Sequence, residues 1–402
     1  MGSVEIKDNL SNIETVGEVA EFSGDTLLEG KFTDLNQETF WDGKGQELHI
    51  KDGDRIVCRI IEVPEDGLTF TEVKNKMKRQ GKKGSELYSI VVTSQSGEGD
   101  LLDKKIQGSI KFVRVESRIS SDSVDVKHDL RYFEVDPDRI EPLYIDYLNN
   151  LQINGRSLDQ MEEAVTDIFS IKKITKSFYR DFSDIFHEKL KPAVNNLENE
   201  EEENLTSYTQ LLVNRILFLM FVQEKGWLNE NKSYIQDRYS KLREDNEKDA
   251  YEDFFKPLFF EALNDTHDSP DHLGRIPYLN GGLFEKRTEE EDVEVDEQFF
   301  EALLSPEEDE FGDKDGFLLN YKLSLSENNP SEQELVVDPE FIGRIFEMFM
   351  VSEDRKEKGA FYTPKEITQY MSKNSIKQLL LNERPEKEEE ISQLVLNHTT
   401  EG

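Results

Sequence analysis

Cysteine is nearly absent: Cys58 is the only one in 402 residues. A single thiol excludes an internal disulfide framework and any zinc site built from clustered cysteines. Long apolar runs are missing too. The longest, Ile216 to Val222, has seven residues, whereas a membrane-spanning helix needs about twenty. The N-terminus shows no charged segment followed by an apolar one, so no secretory signal is expected. There is no Walker loop, glycine-rich dinucleotide fingerprint or nucleophile elbow, which removes the commonest nucleotide-binding and hydrolase signatures. The expectation from these absences is a soluble, cytoplasmic protein. Basic charge is also short, with 49 Lys and Arg against 86 Asp and Glu and a formal charge of −37. Such a surface repels nucleic acid at low salt. Salt near 1 M, with a Debye length of about 3 Å, would screen that repulsion.

What is present is the composition of a folding chain. Hydrophobic residues make up 36% and aromatics 10%, including 25 Phe and 13 Tyr, enough for two or three cores at this length. Residues 1–155 carry strand signals. "ELHIKDGDRIVCRIIEV" and "GSIKFVRVESRI" alternate with period two, and "LYSIVVTS" is a short β-branched run. An irregular stretch is expected from Ser117 to Asp129. From 156 to 345 the period becomes helical: "FSIKKITKSFYRDFSDIF" lines up Ile171, Ile174, Phe178, Phe182, Ile185 and Phe186. "YTQLLVNRILFLMFVQEKGWL" is apolar nearly all round, as a buried central helix would be. Acidic runs at 200–203, 289–292 and 388–390 read as solvated segments. The fold class expected is α+β, with a strand-rich mixed domain over 1–155 and a mainly helical domain over 156–345. A third segment, 346–402, follows.

Two capped helices mark the end of the chain. "DPEFIGRIFEMFM" offers Asp338 as N-cap and Pro339 at the first helical position. "TPKEITQYMSKNSIKQLL" repeats the device with Thr363, Pro364 and a capping-box Glu366. Between them lies "EKGAFYTPKEITQYM". Capping alone accounts for Thr363, Pro364 and Glu366 but not for the rings of Phe361 and Tyr362 behind Gly359 and Ala360. A helix start with free amides suits a carboxylate or phosphate, and neighbouring rings could hold the rest of a small ligand.

A second candidate is "VKNKMKRQGKKG", where Lys74, Lys76, Lys78, Arg79, Lys82 and Lys83 occur with no acid among them. It reads either as a solvated hairpin tip between "LTFTEV" and "LYSIVV" or as a loop touching a phosphate backbone. Glu72 and Lys74 also form an E-x-K pair in an expected strand, half of a Mg²⁺-dependent nuclease site that would need a further acid on a neighbouring strand. His267 and His272, with Asp268 and Asp271 between them, fall in a Pro-containing loop without a third strong ligand. A polar turn is the simpler reading, and no metal ligands are assigned.

Four stretches together, "LLVNRILFLMFVQEKGWLN" (211–229), "IPYLNGGLFE" (276–285), "DPEFIGRIFEMFM" (338–350) and "KGAFYTP" (358–364), resemble the region leading into the catalytic domain of adenine-specific DNA methyltransferases. The particular likeness is to the large type IIG restriction-modification enzymes and the related methyltransferases of BREX-type phage defence. It covers roughly residues 165 to 380. The resemblance implies that 346–402 opens an α/β methyltransferase domain and that the helices before it form a connector. Gly281 and Gly282 would permit a tight turn there. It implies that Gly359, Ala360, Phe361, Tyr362, Thr363 and Pro364 contact S-adenosylmethionine, and that double-stranded DNA is the partner. The family's Gly-rich cofactor loop and N-P-P-Y motif are not found; Asn329 and Pro330 lack the second Pro and the Tyr. The chain is therefore expected to be truncated or one half of an enzyme, inactive unless a second chain supplies the catalytic part. The rival readings are a DNA-binding scaffold derived from such an enzyme and a Mg²⁺-dependent nuclease subunit.

Overall fold

Residues 45–64 carry β-branched and apolar strand signals, and in the computed structural model they form adjacent antiparallel strands, β2 and β3, of which β3 is buried on both faces from Val57 to Val63. The structure describes residues 3–28, 36–40, 44–52, 54–81, 86–97, 99–119, 126–197, 202–244, 248–264, 270–279, 282–286, 292–307, 316–324, 332–336 and 365–397. They fall into two compact units, one of 1–324 with 328–336 and one of 325–327 with 337–402.

The first unit holds a seven-stranded mixed sheet. Its strands are β1 (Asn36–Phe40), β2 (Gly45–Asp52), β3 (Arg55–Pro64), β4 (Tyr88–Ser94), β5 (Ile106–Ile119), β6 (Val126–Val135) and, after the two-residue ladder of β7 (Val194–Asn195) and β8 (Glu294–Val295), β9 (Glu332–Glu334). They lie in the order β1-β2-β3-β4-β5-β6-β9. All pairings in this sheet are antiparallel except β3 with β4 and β6 with β9. Helices α1 (Ser3–Ser11) and α2 (Val16–Glu21) precede the sheet, and α3 (Phe70–Gln80) joins β3 to β4. The class is α+β, as the periodicities predict.

Two expectations for this region fail. The described ends of the stretch from Ser117 to Asp129 are strand, since β5 runs to Ile119 and β6 begins at Val126, while 120–125 lie outside the described residues. The basic segment is no hairpin tip. Parallel strands cannot be joined by a tight turn and need a crossover, and α3 supplies it. Its start is written in the sequence as a capping box: Thr69 accepts from the Glu72 amide at 3.3 Å and the Glu72 carboxylate accepts from the Thr69 amide at 2.9 Å.

The register sorts the sheet into two faces. One carries Ile61, Val63, Val91, Val113, Val115 and Leu130, against which α3 seats Val73 and Met77. The other carries a ring stack in which Phe112 and Phe133 lie 5.0 Å apart and Phe133 and Tyr144 lie 5.2 Å apart. Tyr144 belongs to α4 (Pro142–Leu151), which closes that face together with α5 (Leu158–Ile168); Arg114 of β5 reaches α5 at Glu162 and Thr166. The helical part follows with α6 (Ile171–Ile185), α7 (Glu202–Glu224), α8 (Tyr234–Arg243) and α9 (Glu297–Leu304). Phe178, Phe182 and Phe186 are buried along one stripe, as their spacing predicts. Among the described residues α7 alone is long and apolar enough to cross a membrane, and 67% of its most apolar window is buried inside the protein, which marks a core helix.

In the second unit, α10 (Lys365–Glu383) leads through a short turn to α11 (Glu388–Asn397). Helix formation by "TPKEITQYMSKNSIKQLL" is borne out from Lys365 onward. Residues 338–350, 363 and 364 lie outside the described residues.

Cys58 is fully buried beside Ser23 and Tyr88, and burial pushes its thiol up to about 12. Because the thiolate is the reactive form, labelling by a disulfide reagent at pH 8 is expected to proceed only as fast as the unit unfolds. Rapid labelling of native protein, measured against the rate in urea, would contradict this burial.

Candidate functional site

The cofactor candidates Gly359, Ala360, Phe361, Tyr362, Thr363 and Pro364 all lie outside the described residues, as do Lys82 and Lys83 of the basic segment. The other four basic residues sit on α3. Lys74 places its ammonium 5.2 Å from the Phe70 ring and 4.9 Å from the Tyr132 ring, two rings that meet edge to face at 5.1 Å. That aromatic shelf attracts the cation through the negative ring faces and fixes it above the sheet. Lys76 and Lys78 are half-buried, and Arg79 is exposed in the last turn, where cations complement the helix dipole. The helix thus presents basic groups beyond its apolar contact with the sheet.

The E-x-K pair does not assemble. A strand would put residues two apart on the same side, but on a helix they point away from each other. Glu72 is instead occupied in its cap, and the Thr69 backbone and hydroxyl hold its carboxyl below the usual range. Asp271 and His272 fall in a single turn, Asp271–Leu273, and His267 and Asp268 lie outside the described residues. Among the described residues, His272 is not brought into a metal-ligand group with other side chains.

A cavity of about 300 Å³ opens where the sheet meets the helical part. β6 and the residues just after it contribute Glu134, Arg139 and Glu141, α7 contributes Glu224, and the segment after residue 320 contributes Tyr321 and Lys322. Lys322 bonds Glu334 at 3.2 Å and stands 4.0 Å from Glu134. Burial disfavours its ammonium, but Glu334 and Glu134 outweigh that and raise its pKa. Burial raises the Glu334 carboxyl, with Lys322 opposing. It likewise raises Glu224 against weaker opposition from Arg139, Lys232 and Lys322. Both signs of charge line the cavity, so it is equipped to hold a polar molecule by several hydrogen bonds. Nothing in sequence spacing announces it, because its residues come from five separate parts of the chain, Ser109 of β5 and Gln236 of α8 among them.

Two of the stretches singled out in the sequence interlock in the helical part. Arg215 of α7 is fully buried and donates to the carbonyls of Leu283 at 2.8 Å and Glu285 at 3.2 Å, with its guanidinium 5.0 Å from the Phe260 ring. The backbones of Asn229 and Arg275 bond at 2.8 Å. Gly282 has open space where a Cβ would stand, so no tight packing requires it; Gly281 lies outside the described residues. The constrained glycine is Gly274, with φ +77 and a Cβ position 2.6 Å from the Asn229 amide oxygen.

No family model matches this chain, and no solved structure is significantly similar to it. It is 30% identical over 194 residues to a protein of Methanocaldococcus jannaschii named as a candidate type II restriction enzyme and methyltransferase. The match takes in 46% of this chain and 16% of that relative's length. The chain is therefore related to a restriction-modification protein and corresponds to a small part of it.

Glu224 tests the electrostatics of the cavity. A carboxyl whose pKa is raised by folding penalises the native state once pH passes its ordinary value, about 4.3, and the penalty is complete above the raised value. Glu224→Gln is expected to raise Tm at pH 7 and to leave it unchanged near pH 4. Equal effects at both pH values would show that the carboxylate is not destabilised there.

Proposed function

We propose that the chain is the N-terminal and connector portion of a site-specific DNA methyltransferase of restriction-modification type, acting on adenine N6 in phage defence. The observation that carries this reading is the similarity to the restriction-modification protein of Methanocaldococcus jannaschii. In this reading double-stranded DNA meets the basic segment of α3, where Lys76, Lys78 and Arg79, continued by Lys82 and Lys83, contact phosphates without reading bases. The aromatic shelf under Lys74 keeps that end of the helix in place.

The segment Gly359 to Pro364 supplies one edge of the S-adenosylmethionine site, as the resemblance to motif X implies. The adenine-gripping N-P-P-Y motif is absent from these 402 residues. Extruding a base costs a few kcal/mol, which a complete pocket must recover by stacking and hydrogen bonds. Methyl transfer therefore depends on polypeptide beyond this sequence, a second chain or a longer product. On α10, Ile367 (50%), Tyr370 (70%) and Met371 (59%) are exposed within one turn of each other, apolar surface suited to packing against another layer.

Replacing Lys74, Lys76, Lys78, Arg79, Lys82 and Lys83 by Ser is expected to weaken DNA binding at all sequences alike. It should reduce the slope of log K against log salt by about 0.9 for each phosphate contact removed. Fluorescence anisotropy over a salt series measures it, and an unchanged slope removes the basic segment from the interface.

Co-expression with a chain carrying the Gly-rich loop and N-P-P-Y motif is expected to restore adenine methylation that depends on S-adenosylmethionine, while this chain alone gives none. Mass spectrometry of digested DNA reads out N6-methyladenine. A purified complex that binds DNA yet never methylates it would favour a scaffold.

A further inference from the structure

On the first three strands lies a polar cluster that the methyltransferase reading does not use. Glu38 of β1 pairs across the ladder with Glu47 of β2, and His49, two residues on, projects from the same face. Glu47 is nearly buried and His49 completely so, while Glu38 is half-exposed at 48%. Ligand atoms of all three come within 4.8 Å of one another.

The histidine is held in one orientation. Its Nε2 lies 2.9 Å from Glu47 Oε2, and the other Glu47 oxygen lies 3.4 Å from Arg59, which is itself fully buried on β3 opposite His49. In the tautomer whose Nε2–H donates to the Glu47 carboxylate, the carboxylate–histidine arrangement that orients metal-bound imidazoles, the lone pair lies on Nδ1. That atom is buried and has no hydrogen-bond partner. Facing it at 3.6 Å is an oxygen of Glu38, too far for a normal hydrogen bond. Two donors sharing one ion at about 2.1 Å each, at a tetrahedral angle, stand about 3.4 Å apart.

We infer that His49 Nδ1 and Glu38 Oε1 bind a divalent transition ion, with Glu47 orienting the imidazole and water completing the shell on the Glu38 side. One imidazole nitrogen with carboxylate oxygen favours Mn²⁺ or Zn²⁺ over Mg²⁺ or Ca²⁺. The site does not depend on the methyltransferase reading, and it would clamp β1 onto the sheet.

The probe is Mn²⁺ added to chelator-treated full-length protein. Pulsed electron paramagnetic resonance is expected to show one bound ion per chain with a directly coupled imidazole nitrogen, lost in His49→Gln. Zn²⁺ should displace the Mn²⁺, and Mg²⁺ at equal concentration should not. Glu38→Gln, at a half-exposed position, is expected to keep the metal-free Tm while weakening Mn²⁺ binding at least tenfold. Absence of nitrogen coupling in the wild type, or Glu38→Gln binding Mn²⁺ as tightly as wild type, overturns the site.

Discussion

The parallel pairing of β3 with β4 is the constraint on which the first unit turns. Antiparallel neighbours can be joined by a few residues, but a parallel pair forces the chain to travel back along the sheet before re-entering it. α3 is that return path, and its position decides three things at once. It covers the Ile61, Val63 and Val91 surface with Val73 and Met77. It carries Lys74, Lys76, Lys78 and Arg79 on one helix, and it separates Glu72 from any strand geometry in which an E-x-K pair could act. A hairpin at the same place would have left the apolar face bare and the basic residues on a tip.

Buried arginines organise what surrounds this crossover. Arg59 and Arg215 are both fully buried, and a guanidinium so placed must be matched by acceptors or it destabilises the fold. Arg59 stands 3.4 Å from both Glu47 and Glu86, across β2, β3 and the entry to β4, and hydrogen-bonds Glu47 through Nη1 alone. Arg215 is matched by the carbonyls of Leu283 and Glu285, which ties a distant loop to the central helix. The apolar stretches supply most of the burial; these two side chains specify which segments lie against which. The same logic shapes the cavity beside β6, where Lys322 is retained because Glu334 and Glu134 stand next to it, whereas Glu224 has no comparably close cation.

The relation to a restriction-modification protein and the physical layout are compatible. The sheet carries a basic helix, the helical part is built round α7, and α10 exposes Ile367, Tyr370 and Met371 within one turn.

Local pattern determined much of this protein. Period-two alternation placed β2, β3 and β5, a β-branched run placed β4, helical periodicity placed α6 and α7, and the Thr69 and Glu72 capping box announces α3 even though composition alone suggested a loop. Absences in the sequence excluded disulfides and cysteine-rich metal sites. What only the tertiary structure decided is every relation between residues far apart in the chain. Sequence period cannot tell a parallel from an antiparallel partner, so the crossover was hidden. It cannot show that Glu38, Glu47, His49 and Arg59 share one face, or that Glu134, Glu224 and Lys322 line one cavity, because register and packing between separate segments bring them together. Short-range rules fix the elements, and burial of their apolar faces against one another fixes which polar groups meet.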